Sequence, residues 1–410
     1  MPVYSKIIPD YPYFCHVKEF ILEHENDDPS RLILSKNTVW PQLENGLGRD
    51  AVIYTLEGRK KMKTKVPQWY GIPDLIYPTR ICTEQCSSAA TAAYKASLLP
   101  PCGSVADLTS GLGVDVAAFS AVSSKVLYND MNPELVAAAK HNFQRLGLDN
   151  IVFSNTEVTP LTIEGLLSEG WDTVFIDPAR RDSSGRKVFL LEDCSPDVLT
   201  ILPEVFKKTA RVILKLSPMA DISMLAERLD SIKEIHIVAS GGECKELLVL
   251  LEKGYNGDFS LILNEDGTII RPEPGAERNS KAEIAKTIEQ GQILFEPGKS
   301  ITKAGLFNWV SQFYGVKKAG VNTHIYFGTE PIPTGRNYVI EKILPLDKKS
   351  LKAAGKEYPD ADVTARNIPL SSDSLRAKMG IKTSNNTGRH IFGIHSDGLG
   401  GNFLLICRRA

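Results

Sequence analysis

The sequence predicts an α/β fold built on a mostly parallel sheet, with a mainly helical region before it and α+β modules after it. Two observations carry this reading. Between residues 104 and 254, short apolar runs alternate with stretches of helical periodicity, the pattern of successive βαβ units. Acidic residues and glycines recur at the carboxyl ends of those runs, where open α/β sheets hold their ligands. A chain of 410 residues also exceeds what one hydrophobic core holds. We therefore expect a helical region over 1–94, an α/β domain over 95–255, an α+β module over 256–343 and a terminal domain over 344–410.

In the helical region, apolar residues at helical spacing over 13–22 predict one helix, and Asp27-Asp28-Pro29-Ser30 a turn before the next. The basic run 58–65 reads as a solvated helix end. In the α/β domain the predicted strands are 104–108, 125–129, 151–154, 173–176, 211–216, 235–239 and 247–251. Helices over 114–121, 133–146, 163–168 and 198–209 separate the first five. The last two are too close for a parallel crossover, so Ser240-Gly241-Gly242 predicts an antiparallel hairpin at one sheet edge. Beyond Gly254 we expect a hairpin around Asn264-Glu265-Asp266-Gly267, then mixed helices and strands to the terminus.

Bulk properties narrow the function classes. A hydrophobic share of 42% with mean hydropathy −0.13 is that of an ordinary globular chain, and no apolar run approaches the ~18 residues of a membrane span. The first residues lack a signal pattern, and seven cysteines without paired spacing predict reduced thiols and a cytoplasmic setting. Dispersed histidines and the absence of an HExxH pattern argue against a metal site. Residues 331–410 hold 13 Lys/Arg against 7 Asp/Glu, whereas 1–255 hold 27 against 33. That excess permits a polyanionic partner, an ordinary solvated face being the alternative.

The chemistry concentrates at three strand ends. Asp107 ends the first strand, and Gly111-Leu-Gly113 follows, where glycines let a ligand approach the backbone. A dinucleotide site has a third glycine three positions on; here Val116 stands there. A strand-end carboxylate repels a pyrophosphate but suits a cation, which favours S-adenosylmethionine over NAD. Asp130 ends the second strand 23 residues after Asp107, close to the ~20-residue spacing of a ribose-binding acid. Asn132-Pro133 then read as a helix cap and first turn. Past the third strand, Glu157 is the candidate for the adenine amino group, a plain loop residue being the alternative. The fourth strand delivers Asp177-Pro178 into the crevice, where a carboxylate can orient an acceptor amine.

Asp107-x-x-x-Gly111-x-Gly113, Asp130 and Asp177-Pro178-Ala179-Arg180 resemble the successive motifs of class I S-adenosylmethionine-dependent methyltransferases. The resemblance implies a Rossmann-like, seven-stranded sheet with one reversed edge strand. It implies S-adenosylmethionine held by Asp107, Gly111, Gly113, Asp130, Met131 and Glu157, with Gln85 and Ser88 over its methionine end. A small-residue helix packing on the sheet is the other reading of that last segment. Asp177 and Pro178 would orient the acceptor, and Arg180 would anchor a phosphate or the loop. The stretch Lys215-Leu-Ser217-Pro-Met219 has no cysteine, which disfavours cysteine-based C5 methylation.

The wider chain resembles a bacterial family of methyltransferases with a THUMP-like C-terminal domain. The matching stretches are Leu294-Phe-Glu-Pro-Gly298, Lys303-Ala-Gly-Leu306 and residues 362–370. This implies a ferredoxin-like module over 256–343, a THUMP-like domain over 344–410 and RNA, tRNA or rRNA, as partner. Arg366, Asn367, Lys382 and Arg389 are the residues to test for phosphate contact. The expected activity is methylation of a nucleobase nitrogen. The alternatives are a non-catalytic RNA-binding or assembly protein that kept the fold, and a methyltransferase for proteins or small molecules.

Overall fold

The computed structural model describes residues 19–40, 49–73, 75–180, 191–382 and 388–410. Part of the helix expected over 13–22 lies outside them. The chain forms two compact units, Met1–Lys233 with Leu248–Gly257, and Glu234–Leu247 with Asp258–Ala410.

The first unit opens with helices Pro29–Leu34, Arg49–Lys65, Pro67–Tyr70, Arg80–Gln85 and Ala89–Ala96. Strands β1 (Ser104–Asp107), β2 (Lys125–Asn129), β3 (Ile151–Ser154) and β4 (Thr173–Ile176) follow, with helices between them. The helix Pro133–Leu146 shows how locally its ends are encoded. Asn132 caps it by accepting from the Glu134 N–H, Pro133 fills the first turn, and Gly147 ends it at φ +69°. Next, β5 (Ala179–Arg180) and β6 (Cys194–Ser195) form a separate antiparallel pair. The remaining strands of the first sheet are β7 (Arg211–Leu216), β8 (Ile232–Ser240), β9 (Glu243–Glu252), β10 (Ser260–Glu265) and β11 (Thr268–Ile270).

Among the described residues this sheet has the order β11-β10-β8-β9-β7-β4-β1-β2-β3. The seven expected strands are present, and two more join them. The hairpin expected after Gly254 extends the sheet, with β10 parallel to β8. The expectation of a reversed strand at the edge is therefore corrected: β9 lies inside the sheet, between β7 and β8. Central strands β4 and β7 are almost wholly buried, as continuous apolar runs in a parallel sheet require.

Among the described residues the second unit contains a seven-stranded sheet of order β13-β14-β12-β15-β18-β17-β16. Its strands are β12 (Ile293–Glu296), β13 (Lys317–Gly320), β14 (Thr323–Gly328), β15 (Arg336–Pro345), β16 (Asp362–Arg366), β17 (Arg389–Ser396) and β18 (Gly401–Arg409). Strand alternation fills two cores: Phe392, Ile394, Leu405 and Cys407 enter one, Ile391, Leu404 and Ile406 the other. The boundary expected at 343/344 falls inside β15, which pairs with both β12 and β18.

Two helix N-termini in this unit are capped by distant carboxylates. Glu265 accepts from the Lys299 and Ser300 N–H groups, and Glu277 from those of Asn308 and Trp309. The dipole ends that would suit a phosphate are thus already served.

Candidate functional site

Strand β1 sits at the point where the sheet order reverses. The chain runs from β1 to β2 and β3 on one side, then returns to β4 on the other. Crevices at such switch points, beyond the carboxyl ends of the strands, are where open α/β sheets bind ligands. Asp107, Asp130 and Asp177 all lie there.

A hydrogen-bond lattice ties these ends together. Asp107 Oδ1 accepts from the Thr109 N–H at 2.9 Å, and the Thr109 hydroxyl accepts from the Asp177 N–H at 2.7 Å. Asp130 Oδ2 accepts from Gly111 N–H at 2.9 Å, and Oδ1 from Asn132 N–H at 2.8 Å. Asn129, fully buried, holds three strand ends. Its side-chain amide donates to Leu108 O at 2.9 Å and Thr156 O at 3.0 Å, and its Oδ1 accepts from Thr156 N–H at 3.1 Å. The turn after β1 is therefore fixed from β2 and β4, and Asn129 ties β2 in turn to the end of β3.

The two glycines serve different ends. Gly111 (φ +55°) would direct a Cβ into open space, which leaves room for a ligand against the backbone. At Gly113 (φ +86°) a Cβ would come 2.5 Å from Phe143 Cζ, so this glycine admits the Phe143 ring beneath the turn.

Electrostatically the crevice is acidic. Burial pushes the Asp107 carboxyl well above the usual carboxylate range, and the charges of Asp115, Asp177 and Asp130 push the same way. Asp130 is also raised, by burial, against the two N–H groups it accepts. Asp177 pairs through Oδ2 with Lys215 at the end of β7, while its Oδ1 makes no hydrogen bond among the described residues. These features fit a cationic adenosine ligand: open space at Gly111, an acid at the end of β2, where a ribose is expected, with two of about four acceptor sites used, and a carboxylate near the central strand end.

The other expected residues take varied positions. Pro178 is buried beside Asp177; Met131 is 62% exposed, and Glu157 and Gln85 are exposed. Ser88 caps the helix Ala89–Ala96, accepting from Thr91 N–H at 3.2 Å. Arg180 pairs its backbone with Cys194, and its side chain lies outside the described parts. In the second unit, Arg366 is paired with Glu296 and Arg389 with Glu341. Asn367 donates to the Thr323 hydroxyl at 3.1 Å, and Lys382 is exposed. A phosphate would compete with both arginine pairs. Among the described residues no His, Cys, Asp and Glu group suits a metal ion, and no helix is long and apolar enough to cross a membrane.

Asn129, Thr109, Lys215 and a buried trio, Ser87, Lys95 and Asp115, were not singled out from the sequence. The one signal for Asn129 was a polar residue closing an apolar strand.

Comparisons with known proteins agree with this architecture. Residues 335–409 match the THUMP domain-like family, and residues 294–334 a ferredoxin-like domain family. A crystal structure from Porphyromonas gingivalis W83, assigned as a methyltransferase, is similar over 98% of this chain and 99% of its own. It shares 29% sequence identity, with a TM-score of 0.83. Two Mycobacterium tuberculosis proteins described as uncharacterized S-adenosylmethionine-dependent methyltransferases are each 24% identical over 308 residues, covering 73% of this chain and 80% of theirs. Fold, site geometry and relatives together make this chain an S-adenosylmethionine-dependent methyltransferase with a THUMP-like domain at its C-terminal end.

Proposed function

We propose that the chain methylates a nucleobase nitrogen of structured RNA, a tRNA or an rRNA. The observation that carries this is Asp177: Lys215 holds one carboxylate oxygen, and the other is open at the strand end beside the turn after β1. An open carboxylate oxygen there accepts an N–H from an acceptor amine and turns its lone pair inward. The THUMP-like match and the basic excess of residues 331–410 support RNA as the molecule bearing that amine.

Bound S-adenosylmethionine supplies an electrophilic methyl carbon on a sulfonium. The chain's contribution is mainly alignment, worth on the order of 7–11 kcal/mol in favourable intramolecular cases. Asp130 would take the ribose hydroxyls on its free lone pairs, and Asp107 would face the cationic part of the donor. Gly111 and Gly113 would shape the floor, Met131 and Glu157 would border the adenine, and Gln85 and Ser88 would border the methionine end. Asp177 and Pro178 would orient the acceptor, with Arg180 on its phosphate. In the second unit, Arg366, Asn367, Lys382 and Arg389 would face the RNA backbone.

The test is transfer of tritium from labelled S-adenosylmethionine to total RNA of a strain lacking the protein, followed by mass spectrometry of the nucleosides. Label in one N-methylated nucleoside supports the proposal. Label in protein or small molecules alone, or in none of these, overturns it.

A further inference from the structure

The buried polar trio has no role in the reading above. Lys95 is fully enclosed, and Ser87 and Asp115 are only 6% and 8% exposed. The Ser87 hydroxyl donates to Asp115 Oδ2 at 2.7 Å and accepts from Lys95 Nζ at 2.7 Å. Lys95 Nζ lies 3.1 Å from Asp115 Oδ1. Burying an ion pair is costly in desolvation, and well-packed apolar residues often hold two helices equally well. Geometry is what such a trio supplies.

Its position shows which geometry. Asp115 stands in the first turn of the helix Val114–Ser120, two residues beyond Gly113. Ser87 immediately precedes the cap Ser88, and Lys95 lies in the last turn of the same helix, Ala89–Ala96. The trio thus binds both ends of one helix to the start of the other. The glycine turn has two ends, and each has its own tie. Gly111 is held by Asp130, on the side of β2 where a ribose acid stands. The Gly113–Asp115 end is held by the trio, against the Gln85–Ser88 segment.

We propose that Ser87, Lys95 and Asp115 are positioning residues for the amino-acid end of the methyl donor, holding the Gln85–Ser88 segment against the far end of the glycine turn. The proposal rests on the donor site described above. It assigns the trio to one part of the ligand only: the adenosine half depends on Asp130, the amino-acid half on the trio.

Calorimetry with the full chain and two ligands tests this. S-adenosylhomocysteine carries the amino-acid end; 5′-methylthioadenosine keeps the adenosine and the thioether but lacks it. Ser87→Ala should weaken S-adenosylhomocysteine about fivefold, the scale of one hydrogen bond, and leave methylthioadenosine unchanged. Ser87→Thr, which keeps the hydroxyl, should bind both as the unaltered chain does. Lys95→Met should follow Ser87→Ala with a larger loss; should it fail to fold, Ser87→Ala alone decides. Equal loss for both ligands, or loss for neither, overturns the proposal and leaves the donor site standing. An unaltered chain that binds neither ligand overturns the donor site and the proposal with it.

Discussion

Asp130 accepts a hydrogen bond from the Gly111 backbone N–H at 2.9 Å, joining the end of β2 to the turn after β1. The acid expected to hold a ribose also holds the backbone on which the donor would rest. Its other oxygen accepts from Asn132 N–H, so the backbone of the chain itself fixes the carboxylate at both oxygens. Such fixing lowers the ordering cost of binding.

The two glycines of the turn should respond differently to alanine. Both have positive φ, which costs an alanine roughly 1–2 kcal/mol. Gly113→Ala adds a collision with Phe143, worth about 1–3 kcal/mol more. Gly111→Ala meets no neighbour within 4 Å, but its methyl would enter the open space that we propose for the donor. Thermal melts and donor calorimetry should show Gly113→Ala as the less stable protein. Gly111→Ala should show the greater loss of affinity relative to its loss of stability.

Donor binding should depend on pH through Asp107, whose carboxyl is raised by burial and then by its acidic neighbours. A raised carboxyl favours the folded state in its protonated form. That contribution is full below the unfolded value near 3.9 and is lost as pH rises through the folded value. A cationic donor prefers the carboxylate. Binding should therefore release a proton, and affinity should rise with pH across the raised value. Calorimetry of S-adenosylmethionine in buffers of differing ionisation enthalpy checks this, and Asp107→Asn should abolish the dependence.

The second unit should lose stability in mild acid. Burial lowers His324 and His390 to about 4 each, with Lys318 adding to the effect at His324. A lowered histidine gives stability that is present above the unfolded value near 6.5 and is lost as pH falls towards 4. His390 also shares a hydrogen bond with the Thr364 hydroxyl at 2.7 Å. Melts between pH 7 and 4.5 should steepen through this window. The double variant His324→Asn/His390→Gln should flatten the slope even though it starts less stable.

The strand ends were legible because a buried parallel strand reads as an apolar run, and Asp107, Asp130 and Asp177 each stand where one stops. The caps of Pro133–Leu146 were legible for an equally local reason. Lys215 and Lys95 were not, since their meaning lies in partners 38 and 20 residues away, brought close only by the sheet and its helices. Asn129 looked like the last residue of a strand; its role appears once Leu108 and Thr156 lie beside it. The β8–β9 hairpin was readable from its short turn, but periodicity carries no strand order. It could not show that β10 pairs beyond β8 and turns an expected edge into the interior.

We propose that the turn from Asp107 to Gly113, clasped by Asp130, binds the methyl donor. Titration calorimetry of S-adenosylmethionine against the unaltered chain, Asp107→Ala and Asp130→Ala decides this. The unaltered chain should bind, and each variant should lose about 10- to 100-fold in affinity, as expected when hydrogen bonds to a charged group are removed. Unchanged affinity in both variants, with their fold intact, would contradict it.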